Sequence, residues 1–174
     1  MSARVLVAYA TKHGSTREVA QAIAETLADA GLVAEVRPAA EVEEVEPYAA
    51  VVLGGSLYMT RWHADAVRFL RRHAPTLRGR ALAVYAMGPL TLAEHDVAGA
   101  REQLERALRH VPEVEPAETA IFGGVIDPAL LRFPFSLMPA SDARDPEAIE
   151  AWARKVAALA EAGATVGRDM RLGA

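Results

Sequence analysis

A chain of 174 residues with 52% hydrophobic and 24% charged residues has the make-up of one globular domain with a sizeable core, which excludes intrinsic disorder. Its net charge of -4, with Lys and Arg scattered along the chain, excludes the basic surface of a nucleic-acid binder. It has no cysteine, which excludes disulfides, thiol catalysis and thiolate-held metals and suits a reducing compartment. No apolar run approaches the roughly 20 residues needed to cross a membrane. The run Val5–Tyr9 is also too short for a signal-peptide core, so the expectation is a cytoplasmic protein.

Strand and helix patterns alternate in chain order. Val5–Tyr9 is a continuous apolar run of the kind a fully buried strand shows. Thr16–Ala30 follows as an amphipathic helix, with Val19, Ile23 and Leu27 on one face and Gly31 as its stop. Val33–Arg37 is a short strand towards the sheet edge, interrupted by Glu35 and Arg37, and the acidic Glu41–Glu46 segment predicts one helical turn. Ala49–Gly55 is a second central strand, ending in a glycine pair. A helix from about His63 to His73 follows it, with Ala66, Phe69 and Leu70 at helical spacing.

Ala81–Met87 is another buried strand, closed by Gly88-Pro89. Val97, Ala100, Leu104 and Leu108 mark a helix ended before Pro112, and Thr119–Gly123 is the last strand. The final helix carries Ile149, Trp152, Val156 and Leu159, with Asp145-Pro146 as cap and first-turn residue. One domain over residues 1–163 and a loose tail over 164–174 are expected. Five strands interleaved with about five helices predict a doubly wound parallel sheet of order 2-1-3-4-5, covered on both faces as a three-layer α/β/α sandwich.

In such a sheet ligands bind beyond the carboxyl ends of the strands, where the winding reverses. Three loops should converge there. The first is Thr11, Lys12, His13, Gly14, Ser15 and Thr16, between a buried strand and a helix start whose free N–H groups and dipole favour an anion. Gly14 lets the backbone wrap closely, and hydroxyls on both sides of it suit phosphate oxygens. The competing reading makes Ser15 or Thr16 simply a helix cap. The loop has neither the Gly-x4-Gly-Lys-Ser/Thr nor the Gly-x-Gly-x-x-Gly spacing, which argues against ATP and dinucleotides.

The second loop is Ser56, Leu57, Tyr58, Met59, Thr60, Arg61 and Trp62. Either Tyr58 or Trp62 offers a flat face to a planar ring, or merely covers the helix that follows. The third, Met87, Gly88, Pro89 and Leu90, offers main-chain groups with little bulk, or a plain turn. No metal-ligand pattern is present, His63 and Asp65 are too close on one helix to pair convincingly, and no residue stands out as a general acid or base. His95-Asp96 belongs to a helix start. His13 is the one histidine kept as a site candidate, since a phosphate alongside would favour its protonated form.

These residues resemble the flavodoxin superfamily, and most closely the branch that contains menaquinone-dependent protoporphyrinogen oxidase. Thr11, Gly14 and Thr16 match the Thr/Ser-x-Thr-Gly-x-Thr loop of that superfamily, while His13 departs from it. Lys12, the Val51–Ser56 strand end, Trp62-His63 and the Phe69…Arg71-Arg72-His73-Ala74 helix are similar to the oxidase branch. The resemblance implies a flavodoxin-like fold and bound FMN, in an oxidoreductase or electron-transfer protein that serves a redox partner protein or a quinone or other small-molecule substrate. The oxidase carries a long insertion after the last strand; the corresponding stretch here, Val125–Ser141, is shorter but holds Leu130, Leu131, Phe133, Phe135, Leu137 and Met138. It reads as a membrane-docking patch or as a loop folded back onto the core. Two rivals therefore stand beside the leading reading. One is a protoporphyrinogen-oxidase-like enzyme using FMN and a quinone with transient membrane docking; the other is a flavin-free anion-binding or regulatory module on the same fold.

Overall fold

The apolar run Arg4–Ala10 forms strand β1, buried on both sides, and Gly14 starts helix α1 (Ser15–Asp29), which ends at Gly31 with φ of 85°. Strand β2 (Val33–Pro38) is the half-exposed edge that Glu35 and Arg37 announce. In chain order follow β3 (Ala50–Tyr58), the two-residue β4 (Arg61–Trp62), α2 (Ala64–Leu77), β5 (Ala81–Met87), α3 (Glu94–Leu108), β6 (Glu118–Phe122), the short β7 (Val125–Ile126) and β8 (Ser141–Asp142), and α4 (Pro146–Leu172). The computed structural model describes the backbone of residues 2–172 and side chains as far as residue 165.

The main strands run in the order β2-β1-β3-β5-β6, all parallel, which is the doubly wound order expected with β4 as an added antiparallel strand. Alternate residues of each strand feed two cores. Val5, Val7, Val52 and Tyr85 pack under α1 and α4. Leu6, Ala8, Leu53 and Val84 pack under α2 and α3. This is a three-layer α/β/α fold.

Four local expectations change. The helical turn expected at Glu41–Glu46 is a 3-10 turn at Ala39–Glu41, directly after Pro38 leaves the sheet. Helix α2 runs four residues beyond His73, through Pro75 to Leu77, because Leu77 still has core to cover. The glycine pair does not end β3. It lies inside the strand, and the chain folds back at Met59 and Thr60, both with positive φ (49° and 64°), so that Arg61 pairs with Tyr58. Finally, α4 continues through Gly163 to Leu172, where a loose tail was expected; residues 173–174 lie outside the described residues. The Asp145 cap is as expected, its carboxylate accepting from the N–H groups of Glu147 and Ala148.

His73, on α2, is buried against Phe69, and burial pushes its pKa below the ordinary value. The folded chain therefore holds it neutral, whereas the unfolded chain takes up a proton near pH 6.5. Stability is thus fully present above that pH and falls as the pH drops below it, since the unfolded state then binds more protons. Urea titrations at pH 7 and pH 5 should show this loss in the wild type and a smaller one in His73→Gln.

Candidate functional site

The carboxyl ends of β1 and β3 part at the point where the winding reverses, leaving a crevice of about 290 Å³. Thr11, Lys12, His13 and Ser15 line one side of it; Ser56, Leu57, Tyr58 and Met59 line another; Met87, Gly88 and Leu90 close the base. The three expected loops do converge.

The first loop is shaped by Gly14, whose φ of 94° is a left-handed conformation that favours glycine, and whose N–H donates to Thr11 Oγ1 at 2.9 Å. Gly14 is itself the helix cap, and no side chain caps α1. This corrects the reading of Ser15 or Thr16 as a cap: both are already helical, and as first-turn residues their N–H groups have no acceptor within the helix. Thr16 is completely buried, yet its Oγ1 has no hydrogen-bond partner; Ser56 Oγ, at the end of β3, is buried and unpartnered too.

The second segment is a hairpin rather than a loop, and this sorts its residues. Tyr58 and Met59 are carried to the crevice, with the Lys12 ammonium 3.6 Å from the Tyr58 ring centroid. Thr60 and Arg61 are exposed and outside the lining. Trp62 is core: it is 4% exposed, and its indole N–H donates to the Gly55 carbonyl at 3.1 Å. It offers no free face to a ligand. Of the two aromatics proposed for that role, only Tyr58 faces the crevice.

The glycine pair explains why. A Cβ on Gly55 would stand 2.4 Å from the Trp62 indole nitrogen, and one on Gly54 would stand 1.9 Å from the Tyr85 ring. The two missing side chains let one aromatic ring lie flat on each face of the sheet. Tyr85, fully buried, donates its hydroxyl to the Thr16 carbonyl at 3.0 Å, which ties the start of α1 to β5; burial pushes its pKa up, so it stays a donor.

In the third segment Pro89 is buried and turned away from the lining, but its carbonyl accepts from Gly124 N–H at 2.9 Å and so binds the base to the exit of β6.

Sequence reasoning missed one wall. Gly124, Val125, Ile126, Leu131, Phe135 and Met138 close the crevice opposite the first loop. Of the two readings of Val125–Ser141, the folded-back loop accounts for Leu131 and Met138, while Leu130, Phe133 and Leu137 remain exposed at 54%, 80% and 75%. The signal was its density of apolar residues. The wall is clasped at its base by Arg144, whose guanidinium pairs with Asp142 (2.6 Å) and with Glu18 of α1. Hydrogen bonds from Arg144 hold the Asp142 carboxyl below the usual carboxylate range, so the Asp142–Arg144 pair persists at neutral pH and is lost only as the pH falls through that lowered value. Arg144→Met should raise the rate of limited proteolysis within residues 125–142 severalfold, while global melting changes little.

His63 accepts from Asp65 N–H at the start of α2, a capping role, and Asp96 sits in the first turn of α3 as expected. No described helix is long and apolar enough to cross a membrane.

A doubly wound sheet with a hydroxyl-rich loop at a helix start and a largely apolar crevice at its switch point defines the class of α/β protein that binds its ligand there, flavin mononucleotide in the flavodoxin-like members. The flavodoxin domain model matches residues 6–134, and the chain belongs to that family. It is thus a flavodoxin-like, FMN-binding protein. The protoporphyrinogen IX dehydrogenase [quinone] of Escherichia coli K12 is 31% identical over 86 residues, 48% of each chain, so this chain spans about half the length of the curated relatives it matches. In fold it is similar to a flavodoxin of Pseudomonas aeruginosa (TM-score 0.60, 19% identity, 91% of this chain and 99% of that one). It is similar also to the rubredoxin oxygen:oxidoreductase of Desulfovibrio gigas (TM-score 0.62, 15% identity, 92% of this chain and 36% of that one).

Proposed function

We propose that the crevice holds FMN with its phosphate on the Thr11–Thr16 loop and its ring among Ser56–Met59, Met87, Gly88 and Leu90, and that the protein exchanges electrons with an apolar small molecule of the quinone class. The observation that carries the reading is Ser56 Oγ, a buried, unpartnered hydroxyl of the crevice lining, together with Thr16 Oγ1, equally buried and unpartnered in the first turn of α1 behind the loop. Each costs about 1–3 kcal/mol unless a ligand completes it. Thr60, Arg61, Trp62 and Pro89 lie outside the lining of this crevice.

FMN supplies the electron or hydride transfer. The chain anchors it through the N–H groups and hydroxyls of the first loop and keeps water off the ring with Leu57, Leu131 and Phe135. The quinone class is supported by the apolar far wall and by the name of the Escherichia coli relative. A second reading adds transient membrane contact through residues 125–141 of an otherwise cytoplasmic protein, and the exposure of Phe133 and Leu137 favours it.

The purified protein should be yellow, should release FMN on denaturation, and in its reduced form should be rapidly reoxidised by a soluble naphthoquinone. A colourless protein that takes up no FMN would favour the flavin-free module. Co-sedimentation with lipid vesicles, lost in Phe133→Ser/Leu137→Ser, would support the membrane contact.

A further inference from the structure

Although the chain has 23 acidic residues and a net charge of -4, no carboxylate lines the crevice among the described residues. The charge there comes from Lys12, with His13 beside it. Lys12 springs from the phosphate loop, yet its ammonium does not stay there: it lies over the face of Tyr58, 3.6 Å from the ring centroid, at the aromatic end of the crevice. Among the described residues it makes no salt bridge, so its charge is not cancelled locally.

We propose that Lys12 is a redox-tuning residue: its ammonium serves the ring end of the crevice and favours the electron-rich form of the bound cofactor over the oxidised form. The inference rests on FMN occupying this crevice. A flavin ring that has accepted two electrons and one proton from a donor carries one net negative charge, whereas the oxidised ring is neutral. A cation beside the ring therefore binds the two forms unequally, while a cation beside the phosphate binds them equally. The lack of carboxylates leaves that cation unopposed. The protein is thereby fitted to accept electrons readily rather than to act as a strongly reducing carrier.

The test is to measure binding of oxidised and of dithionite-reduced FMN to the wild type, Lys12→Gln and Lys12→Arg, together with the two-electron midpoint potential against a reference dye. In Lys12→Gln, reduced FMN should lose about tenfold more affinity than oxidised FMN loses. By linkage that lowers the midpoint potential by about 30 mV. Lys12→Arg should restore most of the difference. Equal weakening of both forms, with the potential unchanged, would make Lys12 a phosphate counter-ion and overturn the proposal. Failure of the wild type itself to bind FMN would overturn the reading on which it rests, a result separable from any effect of the variants.

Discussion

Gly54→Ala should destabilise the protein by about 3 kcal/mol and remove most of its capacity to hold FMN. The added methyl would lie within 1.9–2.4 Å of the Tyr85 ring. An aromatic ring with room behind it would move aside. Tyr85 has none: it is fully buried, tilted against Phe122 (centroids 5.6 Å) and edge-on to Trp152 (5.9 Å), and its hydroxyl is bonded to the Thr16 carbonyl. Any displacement therefore pulls on the first turn of α1, so overpacking beneath the sheet becomes a defect in the Thr11–Thr16 loop. Chemical denaturation and FMN titration should both register it. Gly99→Ala is the control, since nothing lies within 4 Å of a Cβ there and the position is inside α3. It should stabilise by about 0.5–1 kcal/mol.

The second large effect has opposite signs in two measurements. Thr16→Val keeps the shape and branching of the side chain but removes the buried, unpartnered hydroxyl. Without ligand, the variant should be more stable than the wild type by about 1 kcal/mol, because a costly buried polar atom is gone. With ligand, it should bind FMN about 10- to 100-fold more weakly, the worth of a hydrogen bond to a charged oxygen. A helix cap behaves in the reverse way, losing about 1 kcal/mol on removal whether or not a ligand is present. Equilibrium unfolding of the FMN-free protein together with FMN titration separates the two roles.

The sheet was legible because fully buried strands leave continuous apolar runs: Val5–Ala8, Val51–Leu53 and Leu82–Met87 are all core. The Thr11–Thr16 loop was legible as a candidate anion site because Gly14 sits between hydroxyls at a helix start. The hairpin was not. A tight two-residue turn normally announces itself with Asn-Gly or Asp-Gly, whereas here Met59 and Thr60 take the positive φ values with no glycine between them. Trp62 was misjudged for the same reason. Once the chain turns back at Met59, the alternation of the strand drives the indole under Gly55 rather than into the crevice.

The far wall was harder still. Leu131, Phe135 and Met138 reach the crevice through short turns with no periodicity, held by the Arg144 clasp to Glu18, 126 residues apart in sequence. Gly123 also has a role that local pattern cannot reveal: a Cβ there would meet the Ala143 carbonyl at 1.9 Å, so the segments cross only because it is glycine. The tail failed as a prediction because Gly163 packs near Ala49 and Ala81 inside a continuing helix instead of ending it.

The central claim is that the phosphate loop and the crevice act together as one FMN site. Its most direct test is a fluorescence titration of FMN-free protein with FMN and, in parallel, with riboflavin, which has the same ring and no phosphate. FMN fluorescence should be quenched with one equivalent per chain, and riboflavin should bind at least about tenfold more weakly. Equal binding of both flavins, or quenching of neither, would contradict the account.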